Sequence, residues 1–182
     1  MIAPSELIIN PDGSCFHLHL KPEQLADKII MVGDPDRVNT VASYFDTKEC
    51  EVSSREFHTI TGTYKGKRIT TLSHGIGTDN IDIVLNELDA LANIDFASRT
   101  IKPEFRQLTM VRVGTSGGLQ PFVPVGTYVA ARKSIGFDGV LYFYAGSEEV
   151  RDKAFESELI RQLEWKLNGI KPYVVSADPS LV

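Results

Sequence analysis

Two arginines beside glycine-rich turns are the residues of this sequence whose chemistry is easiest to recognise. Arg112 lies in an apolar segment, residues 108–113, which is followed by glycine, threonine and serine at 114–118. A buried strand rarely contains arginine, because removing a guanidinium group from water is costly unless an anion pairs with it. Phosphate matches the fork of guanidinium N–H donors, so the segment indicates an anion site. An internal carboxylate paired with Arg112 is the alternative explanation.

A second strand end repeats this combination. The apolar residues 29–32 end at Gly33. The Asp-Pro pair that follows is typical of the start of a helix, and this helix would contain Arg37. Glycine lets a ligand approach the backbone, and a helix start offers free N–H groups and the positive end of its dipole. The spacing alone also fits an ordinary strand–turn–helix corner with a surface arginine.

A third glycine-rich turn, residues 73–77, contains His74 and is expected at the same rim. Ligands of open α/β sheets bind beyond the carboxyl ends of the strands, where such turns meet. A single histidine is more often structural than catalytic, and the same interpretation applies to His19 and His58.

Alternating strands and helices must position these turns, which predicts an α/β layered fold. A hairpin signal around Lys65-Gly66-Lys67 indicates that the sheet is mixed rather than purely parallel. The predicted strands are 28–32, 60–64, 68–72, 108–113, 126–132, 140–144 and 172–177. Three helices are predicted. The first begins at Asp34, the second spans 79–95, and the third spans 151–167 and is ended by Asn168-Gly169.

Composition restricts the possible classes. The 182 residues suffice for one domain with a core, and a net charge of −5 gives no basic surface for nucleic acid. Cys15 and Cys50 have no metal-binding or redox spacing. No signal peptide or bilayer-spanning run is found, so we expect a cytoplasmic protein without a membrane partner. The last predicted strand ends five residues before the end of the chain, so we expect the C-terminal part of the domain to be missing.

Five short motifs occur in an order that resembles the nucleoside phosphorylase family of the purine/uridine phosphorylase type. Phe16-His17-Leu18 and Phe137-Asp138-Gly139 resemble its uridine phosphorylase branch. The five motifs are Gly33-Asp34-Pro35-Asp36-Arg37, Ser54-Arg55-Glu56-Phe57, Gly62-Thr63-Tyr64-Lys65-Gly66, Ser73-His74-Gly75-Ile76-Gly77 and Arg112-Val113-Gly114-Thr115-Ser116-Gly117-Gly118.

The resemblance implies a fold and a reaction. The fold would be a three-layer α/β/α sandwich around a mixed central sheet, with residues 1–182 as one incomplete domain. The reaction would be phosphorolysis of a nucleoside, uridine in this branch, to the free base and ribose 1-phosphate. Phosphate would be a co-substrate, and no resident cofactor is implied. Cleavage of a glycosidic bond builds positive charge on the sugar, which a bound phosphate dianion can stabilise and attack.

Roles for individual residues also follow from the resemblance. Arg37, Arg112 and Thr115 would be catalytic, and Gly33 would join them in binding phosphate. Thr115, Ser116 and Gly117 would line the sugar and base. Arg55 would reach the phosphate, and His17 the ribose 5′-hydroxyl, of a neighbouring subunit. The resemblance therefore implies a homodimer, and a hexamer built as a ring of dimers.

Three departures from the family keep alternatives open. Gly118 replaces an alanine, and the family's base-reading and ribose-binding segments have no counterpart in these residues. Some relatives hold potassium with a glutamate, a carbonyl and a serine. Glu56 and Ile76 match, whereas Asn80 replaces the serine, so potassium and a plain surface charge at Glu56 both remain open. A nucleosidase of the same fold and a non-catalytic phosphate- or nucleoside-binding chain are the competing functions.

Overall fold

A computed structural model describes residues 1–167 and 169–182, which form two compact units, 1–116 and 117–182. The expectation of one domain stays a prediction. The first unit contains strands β1 (Lys28–Val32), β2 (Thr47–Ser54), β3 (Phe57–Tyr64), β4 (Lys67–Ser73), the short β5 (Ile94–Asp95) and β6 (Thr100–Ile101), and β7 (Thr109–Arg112), with helices α1 (Pro35–Ala42) and α2 (Thr78–Asn93). The second contains β8 (Lys133–Gly136), α3 (Ser147–Val150), α4 (Lys153–Gln162) and β9 (Tyr173–Ser176).

The main sheet has the order β2-β3-β4-β1-β7 and is mixed, as the hairpin predicts. β1 is parallel to both β4 and β7, whereas β2, β3 and β4 pair in antiparallel fashion. Lys65 and Gly66 connect β3 to β4 with φ angles of 48° and 73°. Two successive left-handed residues match the twist of an antiparallel pair, so this two-residue turn fixes the hairpin register.

Helices cover both faces of this sheet. Met31 packs in a cluster with Leu88 and Leu91 of α2, whereas Val32 packs with Val38 of α1. Successive strand residues point to opposite faces, so α1 and α2 lie on opposite sides of β1. The first unit thus has the helix–sheet–helix layering that was predicted. No described helix is long and apolar enough to cross a membrane.

Local signals explain where the two helices of the first unit begin. The Asp34 carboxylate accepts the Asp36 N–H at 2.9 Å, and Pro35 occupies the first turn of α1. α2 begins after Gly77, whose φ of 94° is open to glycine but strained for other residues. Both helix starts therefore lie directly after a glycine-containing turn at the carboxyl end of a strand.

The predicted burial of residues 108–113 is wrong. They do form a strand, β7, but Met110 is 38% and Val111 44% exposed. β7 lies at the edge of the sheet and, among the described strands, pairs with β1 alone. The desolvation argument for Arg112 therefore fails, and its role must be judged from what surrounds it.

Three predictions in the second unit are also wrong. Residues 126–132 form no strand, and Val125 and Tyr128 are fully exposed, so alternating apolar residues find no partner there. Residues 140–144 contain a 3-10 turn instead of a strand, because Gly139 has φ 82° and the Asp138 carboxylate accepts the Val140 N–H at 2.8 Å. The predicted helix 151–167 is limited to α4, which ends at Gln162. Its predicted end at Asn168 lies outside the described residues.

Candidate functional site

A cleft of about 1010 Å³ lies in the first unit, beside the carboxyl ends of the parallel strands β1, β4 and β7. Each strand contributes the turn that follows it, so the three glycine-rich turns meet as expected. The lining residues are Gly33, Asp34, Pro35, Arg37, Glu56, His74, Gly75, Ile76, Gly77, Thr78, Asn80, Ile81, Arg112, Gly114 and Thr115. Four residues predicted to bind phosphate (Gly33, Arg37, Arg112 and Thr115) are among them.

Backbone pairing holds the turns together. Met31 is in register with Arg112, and the Val113 N–H donates to the Met31 carbonyl at 2.8 Å. On the other side of β1, the His74 N–H donates to the Val32 carbonyl at 2.9 Å. The parallel ladder thus extends past the strand ends, and it places the two arginine-bearing corners at one rim.

The Arg112 guanidinium has one hydrogen bond to the described residues. Its Nε donates to Nε2 of His74 at 2.9 Å, and neither Nη1 nor Nη2 has an acceptor within residues 1–167 and 169–182. A Cβ at Gly114 would lie 2.5 Å from Nη1, so any other residue there would displace the guanidinium group from its present position. The alternative that Arg112 pairs with an internal carboxylate is therefore wrong, and two donors remain open to a ligand.

His74 is the buried partner in this contact. It is 2% exposed, and burial, followed by the charge of Arg112, lowers the pKa of its imidazole. Because Arg112 can only donate, Nε2 accepts and the ring proton lies on Nδ1. Nδ1 is buried and has no hydrogen-bond partner among the described residues. A neutral acceptor thus orients Arg112 without cancelling its charge.

The second arginine belongs to α1. Arg37 lies in the first turn of this helix, is exposed, and lines the cleft near Gly33. The start of α1 adds a partial positive charge. The carboxylate of Asp34 is engaged in capping the same helix. The arrangement suits an oxyanion that two guanidinium groups contact at the edge of a sheet.

Glu56, Ile76 and Asn80 also meet at the cleft. Nδ2 of Asn80 donates to Oε1 of Glu56 at 2.9 Å and to the Ile76 carbonyl at 3.1 Å. These residues could offer a cation a carboxylate and a carbonyl oxygen, the ligands that hard cations prefer. The Asn80 amide would have to turn over to present Oδ1 as a third. The described residues contain no cluster of three His, Cys, Asp or Glu side chains that could hold a metal.

His17 and Arg55 do not line this cleft. His17 lines a smaller cavity of about 430 Å³ and places Nδ1 2.7 Å from Oε1 of Glu87. Arg55 lies over the ring of Phe16, with its guanidinium carbon 5.9 Å from the ring centre. Both residues thus contact the ring of Phe16, outside the residues that line the first cleft, and their roles in a neighbouring subunit stay predictions. The assembly itself also stays a prediction.

Glu87, in the predicted helix 79–95, is a partner of His17 that the sequence does not reveal. It is 8% exposed and accepts the backbone N–H groups of His17 and Leu18 at 2.8 Å each. Its position three residues after Val84 and four before Leu91 places it beside the apolar stripe, and that spacing was the available signal of its burial.

The two remaining nucleoside-binding candidates lie at the boundary of the units. Ser116 is exposed at the end of the first unit, and Gly117 is exposed at the start of the second. Neither is among the residues that line the cleft. The neighbouring Gly118 has a structural reason to differ from alanine, since a Cβ there would lie 2.7 Å from the Val123 carbonyl oxygen.

Comparisons with known proteins agree with this geometry. The chain is 32% identical to a uridine phosphorylase of Haemophilus influenzae over 90% of its own length and 61% of the relative's. It is 34% identical to a DeoD-type purine nucleoside phosphorylase of Levilactobacillus brevis over 72% of the chain and 54% of the relative. A crystal structure of a Trypanosoma brucei nucleoside phosphorylase, described as showing uridine phosphorylase activity, superimposes with a TM-score of 0.82 at 35% identity.

That superposition covers 96% of this chain and 59% of the trypanosomal one. The chain spans between 44% and 65% of the length of the curated relatives it matches. The sequence profile of the Phosphorylase superfamily matches residues 27–179, which include both arginine-bearing corners and the turn around His74. With a mixed sheet between two helices, three glycine-rich turns at one rim and this match over most of its length, the chain belongs to the Phosphorylase superfamily.

Proposed function

We propose that this chain carries the phosphate-binding part of a nucleoside phosphorylase that acts on uridine. One observation supports this most directly: two arginines from neighbouring strand ends share one cleft, and Nη1 and Nη2 of Arg112 have no acceptor among the described residues. An oxyanion satisfies these donors, whereas a water molecule needs no such charge.

Arg37 and Arg112 would hold the phosphate dianion beneath the sugar ring, with Gly33 allowing close approach and Thr115 adding a hydroxyl donor. A phosphate oxygen forms a bond to the anomeric carbon as the bond from that carbon to the base nitrogen breaks. The bonding electrons leave with the base, which then takes up a proton. The products are free base and ribose 1-phosphate, and the arginines act by positioning and electrostatic stabilisation.

Phosphate dependence separates this function from its competitors. The full-length protein is incubated with uridine in phosphate-free buffer, and phosphate is then added. We expect uracil and ribose 1-phosphate only after the addition. Free ribose without phosphate would support a nucleosidase. Phosphate binding without turnover would support the non-catalytic alternative.

Uridine is proposed as substrate because several relatives are named for it, although others are named for purine nucleosides. Parallel assays with uridine, inosine and adenosine at equal concentration test this choice. Faster release of hypoxanthine or adenine than of uracil would contradict it.

A homodimer, and a hexamer formed as a ring of dimers, are proposed as the assembly because His17 and Arg55 lie apart from the first cleft. The inactive variants Arg112→Ala and Arg55→Ala are mixed under conditions of subunit exchange. One site of each mixed dimer then carries both substitutions and the other carries neither, so activity should reappear. Activity that stays at the level of the separate variants, despite demonstrated exchange, would indicate sites built within one chain.

A potassium ion at Glu56, Ile76 and Asn80, and a cytoplasmic location, remain proposals of the same kind. Potassium would be detected as a rise in thermal stability that lithium does not reproduce. The matched control is Glu56→Gln, which removes the charge of the one carboxylate among these residues. An equal rise in this variant would contradict the site.

A further inference from the structure

The contact between His74 and Arg112 differs from those of Arg68 and Arg106, two arginines of the first unit that pair with carboxylates. Nε of Arg106 donates to a carboxylate oxygen of Asp27 at 2.7 Å, and Nε of Arg68 donates to Glu49 at the same distance. The Nη groups of both arginines also donate to backbone carbonyls. These two guanidinium groups are neutralised and largely satisfied by the protein, whereas Arg112 is neither.

A neutral acceptor has a specific advantage at this position. A carboxylate at the place of Nε2 would hold the guanidinium equally well, but it would cancel the charge that an anion needs. An imidazole nitrogen accepts the hydrogen bond and leaves the full positive charge on Arg112. Because Nε is occupied, the edge formed by Nη1 and Nη2 is the one left for bidentate contact with an oxyanion.

His74 itself is held firmly. Its backbone N–H continues the ladder beside β1, and its side chain is almost fully buried. The ring lies directly beside the backbone of Gly33, since a Cβ there would be at the ordinary van der Waals distance of 3.8 Å from Cε1 of His74. A rigid acceptor fixes the direction of a long side chain that would otherwise lose rotamer freedom on binding.

We propose that His74 is the positioning residue for Arg112: it occupies Nε and directs Nη1 and Nη2 at the phosphate. This inference rests on the proposed function, because it assigns His74 a role in the phosphate site of that reaction. His74 touches the arginine and not the reacting atoms, so its effect is on phosphate affinity rather than on bond cleavage itself.

Two substitutions separate positioning from packing. His74→Leu fills a similar volume with an apolar side chain and removes the acceptor. We expect the phosphate dissociation constant of the 182-residue chain to rise about tenfold. His74→Gln places an amide oxygen near the position of Nε2, and affinity should stay within about threefold of the wild type. Phosphate binding is measured by calorimetry, with thermal unfolding recorded for each variant.

Asn93→Leu is the matched control. Asn93 is the last residue of α2, at the end away from His74, and is 7% exposed. Its Oδ1 accepts the backbone N–H of Arg106 at 2.7 Å. Its substitution also removes a buried acceptor, so it should lower thermal stability and leave phosphate affinity unchanged. If Asn93→Leu weakens phosphate binding as much as His74→Leu does, general loosening explains the effect and the inference is wrong.

A second measurement needs no phosphate. The Nε–H of Arg112 in ¹⁵N-labelled chain, assigned with Arg112→Lys, should exchange slowly with solvent in the wild type and in His74→Gln, and rapidly in His74→Leu. Fast exchange in the wild type would overturn the inference directly. If the wild-type chain shows slow exchange but binds no phosphate, the proposed function is contradicted. His74 then has no role in phosphate binding, although its contact with Arg112 remains.

Discussion

Arg112 in the first unit and Arg151 in the second show two different uses of arginine. Arg151 donates from Nε and Nη2 to both carboxylate oxygens of Glu156, at 2.9 and 2.6 Å, and its guanidinium lies 4.7 Å from the ring centre of Tyr142. Its side chain is 11% exposed, and that of Glu156 only 6%. Arg112 is exposed and has a neutral imidazole as its partner. An arginine that a buried carboxylate satisfies supports the fold, whereas one with open donors and an intact charge is available to a ligand.

The largest expected effect is on the buried pair. Arg151→Ala leaves the Glu156 carboxylate without its main partner, so the free energy of unfolding should fall by about 3–5 kcal/mol. Denaturant unfolding measures the loss. The double variant Arg151→Met with Glu156→Leu removes both charges and should recover part of the stability. A double variant that is less stable than Arg151→Ala would show that packing, rather than the unpaired charge, causes the loss.

Arg112→Ala should show a different pattern. Phosphate affinity should fall by about 1.5–3 kcal/mol, which is roughly tenfold to a hundredfold, because a charged hydrogen-bond donor to a dianion is lost. The free energy of unfolding should fall by about 1–3 kcal/mol, less than for Arg151→Ala, because Nε2 of the buried His74 loses its donor. Phosphate affinity equal to the wild type, in a folded variant, would remove the distinction between the two arginines.

Acid should weaken the second unit through Glu156. The hydrogen bonds from Arg151, above all other contributions, hold the pKa of the Glu156 carboxyl below its ordinary value of 4.5. A carboxyl whose pKa is lower in the folded state contributes stability above its unfolded pKa, and this contribution is lost as pH falls through the folded pKa. Unfolding free energy measured from pH 6 to pH 3 should therefore drop, and the drop should be shallower in Glu156→Gln. Parallel profiles for both proteins would exclude Glu156 as a cause.

The smallest effect is expected for an exposed pair. Arg161 donates to the Glu158 carboxylate, but the two side chains are 68% and 56% exposed. Arg161→Ala should leave the midpoint of denaturant unfolding almost unchanged, because solvent screens such pairs. A loss comparable to that of Arg151→Ala would show that burial is not what separates structural arginines from the rest.

The parts of the fold that the sequence predicted are those with local signals. The strand, glycine and helix start at residues 28–35 and the turn at Lys65-Gly66 each depend on neighbours along the chain, and both are confirmed. β2, which pairs with β3 along its whole length, was not predicted. Its residues alternate weakly between polar and apolar types, and only the partner strand makes them a strand.

The residues of the candidate site also divide into those that local sequence predicts and those that it does not. Gly33, Arg37 and Arg112 could be found because each lies beside its own turn. The contacts between His17 and Glu87 and between His74 and Arg112 join residues 70 and 38 positions apart, so no local pattern predicts them. The roles of His17 and Arg55 in a neighbouring subunit come from resemblance to a family and not from spacing, and they stay predictions.

The ladder that joins β1 to β4 and β7 has a consequence for divergence within the family. It is made of backbone N–H and carbonyl groups, so apolar residues along these strands can exchange for others of suitable size without changing the register. The rim where Gly33 and Arg112 meet therefore depends on few side chains. Sequences can drift far apart while keeping this rim, which accounts for a superposition with a TM-score of 0.82 at only 35% identity.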